Sequence, residues 1–154
     1  MTQLATGVER AGDSSGLLLW RVTNVWQAAQ RAALKPFDLT HVQFVLLASL
    51  TWLTGDGAVT QRALAEHAAT DPMMTSQVLR ALEARGLVAR NRHPDDRRAM
   101  QVSVTEAGVS LVNRAIGAVE RCDAEFFASL GELREGFHAG LSLLACASSH
   151  GPRG

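Results

Sequence analysis

The sequence has little of what marks an exported or membrane-bound protein. Its two cysteines, Cys122 and Cys146, are too few for a disulfide scaffold and lack Cys-x-x-Cys metal spacing. No apolar run approaches the roughly 18 to 20 residues that a spanning helix needs. The residues before Ser15 are polar and lack the basic start and apolar core of a signal peptide. We therefore expect a cytoplasmic protein with no membrane partner.

The sequence also lacks the motifs of common enzymes. The five histidines are scattered, with no His-Glu-x-x-His or comparable ligand spacing. There is no Gly-x-Ser-x-Gly elbow, phosphate-binding Gly-rich loop or dinucleotide fingerprint. Asp95 and Asp96 are adjacent, but two arginines follow them at a predicted turn, which does not suit general acid–base work. The sequence therefore predicts no enzyme, no catalytic residue, no metal and no cofactor.

Charge is balanced overall but unevenly distributed. The formal net charge is zero. Residues 62–98 hold seven arginines against five acids, a net of +2, whereas residues 106–135 hold six acids against three arginines, a net of −3. A basic segment beside an acidic one is the asymmetry expected of a protein that binds nucleic acid through one surface only.

Two consecutive helices are predicted between Thr60 and Gly86. Thr60 is a suitable N-cap for a helix through His67, because its hydroxyl can accept a bond from an unpaired backbone N–H. Asp71 followed by Pro72 is a stronger start signal, since a carboxylate suits the positive helix end and proline is tolerated there. The second helix is expected to run to about Arg85 and to stop at Gly86.

The second helix divides into a buried and an exposed face. Residues at the i, i+3, i+4, i+7 spacing of a buried face are Thr75, Val78, Leu79 and Leu82. The opposite face carries Met73, Ser76, Gln77, Arg80 and Ala84. Hydroxyl and amide groups suit base edges, a Met side chain suits a thymine methyl, and an arginine suits guanine or phosphate. The alternative is an ordinary solvated helix face.

A β-hairpin with an arginine-rich tip is predicted next. The segments 87–90 and 101–104 are short and rich in β-branched residues, and the segment 91–98 between them is too polar to pack. From Arg85 to Arg98 five arginines face two aspartates, a net of +3. Arginine pairs with phosphate and enters narrow minor grooves. Asp96 is expected to hold the Arg98 guanidinium; a solvated hairpin without a ligand is the alternative.

The run from Thr60 to Gly108 resembles the DNA-binding module of the multiple antibiotic resistance regulator (MarR) family. The matching residues are Leu82 and Gly86 in LEARGLV, the DDRRA tip, and the segment VTEAG at 104–108. The chain departs from the family at Pro72-Met73-Met74, where small polar residues are common, which bears on base preference. The DNA-binding residues expected from the pattern and the resemblance together are Thr60, Gln61, Met73, Thr75, Ser76, Gln77, Arg80, Arg92, Asp96, Arg97 and Arg98.

The resemblance implies a mainly α fold with a small antiparallel β-wing. We expect residues 1–37 to form an N-terminal dimerisation helix, 38–105 a winged helix-turn-helix, and 106–154 C-terminal dimerisation helices. Helices are predicted from Gly16 to about Leu34, after Thr40, and on both sides of a break at Gly131, with Ala58-Val59 as a third strand. The helices over 126–145 are apolar on several sides, which predicts a two-fold homodimer rather than a monomer with a self-contained core.

Paired recognition helices about 34 to 36 Å apart would meet successive major grooves of double-stranded DNA and favour a pseudo-palindromic operator. The resemblance further implies a repressor that responds to a small aromatic or anionic effector in a cleft beside the dimer helices. The candidate effector-binding residues are Trp20, His41, Phe44 and Trp52, each of which can equally be core. Two alternatives stay open: thiol-based sensing at Cys122 or Cys146, and a helical module that binds protein instead of DNA.

Overall fold

A computed structural model of the chain describes residues 4–53 and 57–148. The predicted breaking residues Gly55 and Asp56 and the tail after residue 148 lie outside this part. The helices are α1 (Ser15–Leu34), α2 (His41–Leu53), α3 (Gln61–Ala68), α4 (Pro72–Ala84), α5 (Glu106–Phe127) and α6 (Arg134–Ser148). The strands are β1 (Val59–Thr60), β2 (Val88–Arg92) and β3 (Met100–Val104). The predicted fold class, mainly α with a small β-wing, is confirmed.

The chain forms two compact units, Met1–Val119 and Glu120–Gly154. The first unit holds a three-stranded antiparallel sheet of order β1-β3-β2. Val59 pairs with Val102, and the β2–β3 hairpin runs from the Val88–Val104 pair to the Arg92–Met100 pair. The predicted third strand is therefore present, one residue later than expected. Strand β2 also continues two residues beyond its predicted end, because Asn91 and Arg92 pair with β3.

Side-chain caps fix where the helices of the first unit begin. Ser14 accepts a bond from Leu17 N at 3.2 Å, and Thr60 accepts one from Ala63 N at 3.1 Å. Asp71 caps α4 through Oδ2, which accepts from Met74 N at 2.9 Å. Each bond satisfies a backbone donor that the first helical turn leaves without an intrahelical partner. The helix starts predicted at Thr60 and Asp71 are confirmed.

One apolar core joins the helices of the first unit to its sheet. The core residues with no exposed surface are Leu34, Leu46, Leu47, Leu50, Leu64, Leu79, Leu82, Val102 and Ala115. They come from α1 to α5 and from β3, so the helix-turn-helix and the sheet share a single interior. The predicted buried face of α4 is confirmed at Thr75, Leu79 and Leu82, while Val78 is half-buried.

The start of α5 is locked against the turn that follows α4. Thr105 N donates to Leu87 O at 3.1 Å, and Thr105 Oγ1 donates to Gly86 O at 2.7 Å. A side chain at Gly108 would collide with the carbonyl oxygen of Leu87. Residues 104–108, which carry part of the family resemblance, therefore include those that hold the start of α5 against this turn.

The second unit consists of the end of α5, a 3₁₀ segment (Ala128–Leu133) and α6. Gly131 has a φ of 53°, which breaks the helical path as predicted. Phe127 contacts both Phe126 and Phe137, with ring centroids 5.2 and 5.8 Å apart. Large apolar side chains remain exposed on α6, namely Phe137, Leu141, Leu143 and Leu144.

Candidate nucleic-acid interface

Helix α4 presents an exposed polar face beside its buried one. Gln77 and Arg80 are exposed, Ser76 is half-buried, and Met73 is 75% exposed. These four side chains lie on one side of the helix because they recur at positions 73, 76, 77 and 80. The amide, hydroxyl, thioether and guanidinium groups form the mixture of donors, acceptors and apolar contact that reads base edges in a major groove.

Thr75 does not belong to this face, which corrects its inclusion among the DNA-binding residues. Its side chain is fully buried. Its hydroxyl donates to Asp71 O at 2.8 Å and lies 2.7 Å from Thr70 Oγ1. Since the Thr75 proton is used on Asp71, Thr70 is the donor to Thr75. Thr75 therefore holds the α3–α4 turn against the first turn of α4 and does not reach DNA.

The turn between α3 and α4 is tight and stores some backbone strain. Ala69 has a φ of 51° and a ψ of 42°, the left-handed region that usually takes glycine. Its amide donates to Glu66 O at 3.3 Å, and Thr70 N donates to Ala65 O at 2.9 Å. A left-handed alanine costs roughly 1–2 kcal/mol. The bonds of Thr70 and Thr75 help to hold the turn in this conformation.

The hairpin tip is folded by its own polar groups. Ala99 N donates to Asp96 O at 3.1 Å, and His93 N donates to Ala99 O at 2.9 Å. Asp96 Oδ1 accepts from Arg98 N at 2.9 Å. The predicted contact between Asp96 and the Arg98 guanidinium is therefore wrong. The Asp96 carboxylate accepts from the backbone N–H of Arg98 instead. The Arg98 side chain is left exposed at a defined place on the tip.

Only three of the five arginines between Arg85 and Arg98 lie at the tip. Arg85 Nη1 donates to Asp38 O at 2.8 Å, which ties it to the loop before α2. Arg90 Nε lies 3.2 Å from Glu83 Oε2, and the Arg90 side chain is 14% exposed. The Arg90–Glu83 contact is an ion pair without a well-aligned hydrogen bond. The charge available to a ligand at the tip therefore comes from Arg92, Arg97 and Arg98.

A cleft of about 360 Å³ separates the tip from the start of α3. It is lined by Thr60, Gln61, Arg62, Ala65, Pro72, Asp96, Arg98, Ala99 and Met100. The cleft brings together four predicted DNA-binding residues from two separate parts of the chain. It also includes Arg62, which is absent from the prediction although its place in the first turn of α3 puts a cation beside the N-cap. The Thr60 hydroxyl is occupied as the cap of α3.

The four candidate effector-binding residues differ in exposure and line neither of the two clefts described for the first unit. Phe44 is a core residue, 5% exposed, which corrects its place in the candidate set. Trp20 and Trp52 are 69% and 74% exposed. His41 packs edge-on against Trp26, with ring centroids 5.0 Å apart. The two cavities described for the first unit are lined by other residues.

Cys122 lies in surroundings that do not activate a thiol. Burial raises the pKa of the Cys122 thiol, and the carboxylates of Asp123 and Glu125 raise it further. A sensor thiol needs a lowered pKa, because the thiolate is the reactive form. Cys122 is half-buried and Cys146 is exposed. The redox alternative gains no support from these positions.

Within residues 4–53 and 57–148, no three His, Cys, Asp or Glu side chains are grouped to hold a metal ion. No helix among the described residues is both long and apolar enough to cross a bilayer.

A two-helix unit with a tight turn, followed by a three-stranded sheet with a basic hairpin, defines the winged helix-turn-helix class. A family model described as the MarR family matches residues 39–100. The HTH-type transcriptional regulator YdcH of Bacillus subtilis is 44% identical over 132 residues, which are 85% of this chain and 89% of the relative. The chain therefore belongs to the MarR family of transcriptional regulators.

Two further similarities agree with this assignment. The HTH-type transcriptional repressor Rv2887 of Mycobacterium tuberculosis is 36% identical over 115 residues, which are 75% of this chain and 81% of the repressor. The structure of BpsR from Bordetella bronchiseptica, titled for regulation of its DNA binding by 6-hydroxynicotinic acid, matches with a TM-score of 0.79. That match has 27% identity and covers 92% of this chain and 98% of BpsR. Membership in this family of transcriptional regulators does not favour the alternative of a helical module that binds protein instead of DNA.

Proposed function

We propose that this regulator is a ligand-responsive repressor that binds double-stranded DNA as a homodimer at a pseudo-palindromic operator. The observation that carries the proposal is the pairing, within one compact unit, of an exposed polar face on α4 with a cleft that ends at the arginine-bearing tip. The first suits base edges in a major groove, and the second suits the phosphate backbone beside it. The repressor name of the Mycobacterium tuberculosis relative supports the direction of the effect.

The residues divide between base contacts and backbone contacts. Ser76 and Gln77, with Met73 and Arg80 at either end, face base edges in the major groove. Arg62 and Arg98 both line the cleft and bind the phosphate strand that passes through it. Arg62 Nε also donates to Glu66 Oε1 at 3.0 Å, an exposed ion pair that leaves its other N–H donors for phosphate. Arg92 Nη1 donates to Arg97 O at 2.9 Å, so Arg92 braces the tip while its charge adds to the attraction for phosphate.

The dimer is supported by apolar side chains that neither unit covers. On α1 the exposed set is Leu17, Leu18, Leu19, Trp20, Val22 and Val25. The exposed leucines of α6 are a second such set, and each set is of the kind that an obligate interface buries. We therefore assign residues 1–37 and 106–154 to dimerisation and residues 38–105 to DNA binding. The protein acts without catalysis, in the cytoplasm, where its operator lies.

Response to a small effector is supported by the structural likeness to BpsR, whose DNA binding is regulated by 6-hydroxynicotinic acid. An effector lowers operator occupancy only if it binds the DNA-competent arrangement less tightly than another arrangement of the same protein. The class expected for this chain is a small aromatic or anionic compound.

The test is a binding titration on selected and random duplexes at several salt concentrations. Each neutralised phosphate contributes a slope of about 0.9 to the fall of log K with log salt. Arg98→Ala is expected to weaken binding to all duplexes and to lower this slope by about 1. Gln77→Ala is expected to change which bases are preferred, by about 1–3 kcal/mol if its contact is bidentate.

The matched control is Arg114→Ala, an exposed arginine of α5 outside the DNA-binding residues 38–105. With sedimentation showing that the variant still dimerises, both the affinity and the slope should be unchanged. A flat salt dependence for the unaltered protein, or the same uniform loss for Gln77→Ala and Arg98→Ala, would contradict the proposal.

A further inference from the structure

A second cleft of the first unit shares no lining residue with the cleft at the hairpin tip. Its volume is about 490 Å³, within the range of roughly 300–1,000 Å³ that small-molecule sites occupy. It lies where the end of α1, the start of α2 and the residue after α4 meet. The lining residues are Arg31, Lys35, Asp38, Leu39, Thr40, Gln43 and Arg85.

The cleft carries an excess of positive charge. Arg31, Lys35 and Arg85 contribute three cations, and Asp38 contributes the one carboxylate, so the lining has a net charge of +2. The Asp38 carboxylate is a weak partner: its side chain is fully exposed, and its Oδ2 lies 3.7 Å from Arg85 Nη2. Three cations in one concave site repel each other and gain stability when an anion enters.

Arg85 is already positioned as a ligand for an anion. Its Nη1 donates to Asp38 O at 2.8 Å and lies 3.5 Å from Gln43 Oε1. Both contacts use the same nitrogen, whereas a guanidinium has five N–H donors in a planar fork. Nη2 and Nε therefore keep donors for an oxyanion. The Arg85 side chain is 33% exposed, so part of its surface is open to a ligand.

The opposite rim is the capped start of α2. Thr40 Oγ1 accepts from Gln43 N at 3.2 Å, and Thr40 N donates to Gln43 Oε1 at 3.1 Å. This reciprocal pair is a capping box, which fixes the rim and places the positive end of a 13-residue helix at the cleft. Leu39, which is 5% exposed, adds an apolar surface for the body of a ligand.

We propose that this cleft binds a small molecule bearing a carboxylate or phosphate group. Arg85 holds the oxyanion through its free fork, and Arg31 and Lys35 flank it as further cations. The site differs from the candidate set of Trp20, His41, Phe44 and Trp52, none of which lines it.

The site also gives a physical route to regulation, and this part rests on the proposed function. Arg85 directly follows the last residue of α4, the helix proposed to read bases. An oxyanion that engages Arg85 Nη2 and Nε displaces the Asp38 carboxylate from Nη2 and draws the guanidinium away from Asp38 O. The hydrogen bond from Nη1, which ties the end of α4 to the loop before α2, is thereby weakened. Operator affinity then falls, and by linkage operator DNA weakens anion binding by the same factor.

Anion binding is tested on the DNA-free protein by isothermal titration calorimetry. Inorganic phosphate and benzoate are titrated separately, with ionic strength held constant by sodium chloride. At least one is expected to bind saturably, and the comparison tells a phosphate-bearing ligand from a carboxylate. Arg85→Gln should weaken binding about tenfold or more, because charge-assisted hydrogen bonds are lost. Arg31→Gln should weaken anion binding severalfold. Because Arg31 does not anchor the end of α4, this variant still tests the site if Arg85→Gln fails to fold.

Arg114→Gln removes an exposed cation outside the cleft and should leave anion binding unchanged. Saturation by neither anion, or equal weakening in Arg114→Gln and Arg85→Gln, overturns the site. In a second arm, the saturating anion should weaken binding of a selected operator at the same ionic strength, and Arg85→Gln should remove this response. An unchanged operator affinity overturns the regulatory step. Failure to bind any operator would instead refute the proposed function while the first arm stands.

Discussion

Thr75 shows, at the scale of single residues, how a polar side chain in a DNA-reading helix can serve the fold instead. Its hydroxyl is fully buried, donates to Asp71 O and accepts from Thr70. Asp71 in turn caps the same helix through its carboxylate. These bonds join the left-handed turn at Ala69 to the first turn of α4, so they set the direction from which α4 approaches its ligand.

Replacing Thr75 by valine keeps the volume but removes both bonds. We expect Thr75→Val to lower the free energy of unfolding by about 1–2 kcal/mol, because Thr70 loses its acceptor in a half-buried site. Urea unfolding followed by circular dichroism measures the change. Thr75→Ser, which keeps the hydroxyl, should lose less than Thr75→Val despite its missing methyl group. The reverse order of stability would show that packing, and not the hydrogen bonds, dominates at this position.

At the scale of elements, the Asp96 carboxylate helps to fix the backbone at the tip of the β2–β3 hairpin. Asp96 Oδ1 binds the backbone of Arg98, while Arg92 Nη1 binds the carbonyl of Arg97 from the other side. Both bonds end on the backbone, so the charged ends of Arg97 and Arg98 remain available to phosphate. The acidic residue at the tip of a basic hairpin therefore acts as a support for the arginines, although its charge opposes an anionic ligand.

Substitutions of Asp96 separate these two effects. Asp96→Asn removes the charge and keeps an oxygen that accepts from Arg98 N, so operator affinity should stay equal or rise slightly. Asp96→Ala removes both, and we expect a fall of severalfold, since the loss of one hydrogen bond of about 0.5–1.5 kcal/mol releases the tip. Fluorescence anisotropy with a labelled operator measures both. Tighter binding by Asp96→Ala than by Asp96→Asn would mean that charge alone governs this position.

At the scale of the whole molecule, α1 and α6 each expose several large apolar side chains. Six large apolar side chains between Leu17 and Val25 are exposed, and α6 exposes four more. A second copy related by a two-fold axis would bury both sets and would place two copies of α4 on one face of a duplex. The dimer and the pseudo-palindromic operator are thus linked predictions.

Sedimentation equilibrium tests this assembly. Two protomers of 16.5 kDa should sediment together as a species of about twice that mass. Leu19→Glu should weaken the dimer at least about a hundredfold, because a two-fold interface loses two buried leucines worth about 1.5–3 kcal/mol each. Trp52→Glu is the control, since Trp52 is an exposed apolar side chain (74%) in residues 38–105, outside the segments assigned to dimerisation. A monomeric unaltered protein, or equal effects of the two variants, would contradict the proposed interface.

Local signals in the sequence determined which elements form and where they begin. The caps at Thr60 and Asp71, the break at Gly131 and the i, i+3, i+4, i+7 spacing from Thr75 to Leu82 act within one or two helical turns. Their consequences can therefore be read along the chain without knowledge of distant contacts. The winged helix-turn-helix follows from the order of these elements. Part of the family resemblance, at residues 104–108, lies where Thr105 bonds to the turn at Gly86 and Leu87.

Only the tertiary structure decided which of the candidate side chains are left for a ligand. Arg85 is engaged by a loop 47 positions away along the chain, Arg90 by Glu83, and Phe44 by the core. Asp96 and Thr75 bind backbone atoms two and four residues away. These contacts are local, but the residue pattern does not distinguish such backbone partners from side-chain partners. Such pairings depend on which surfaces the folded chain brings within about 3 Å, and a periodicity along one helix contains no information about them.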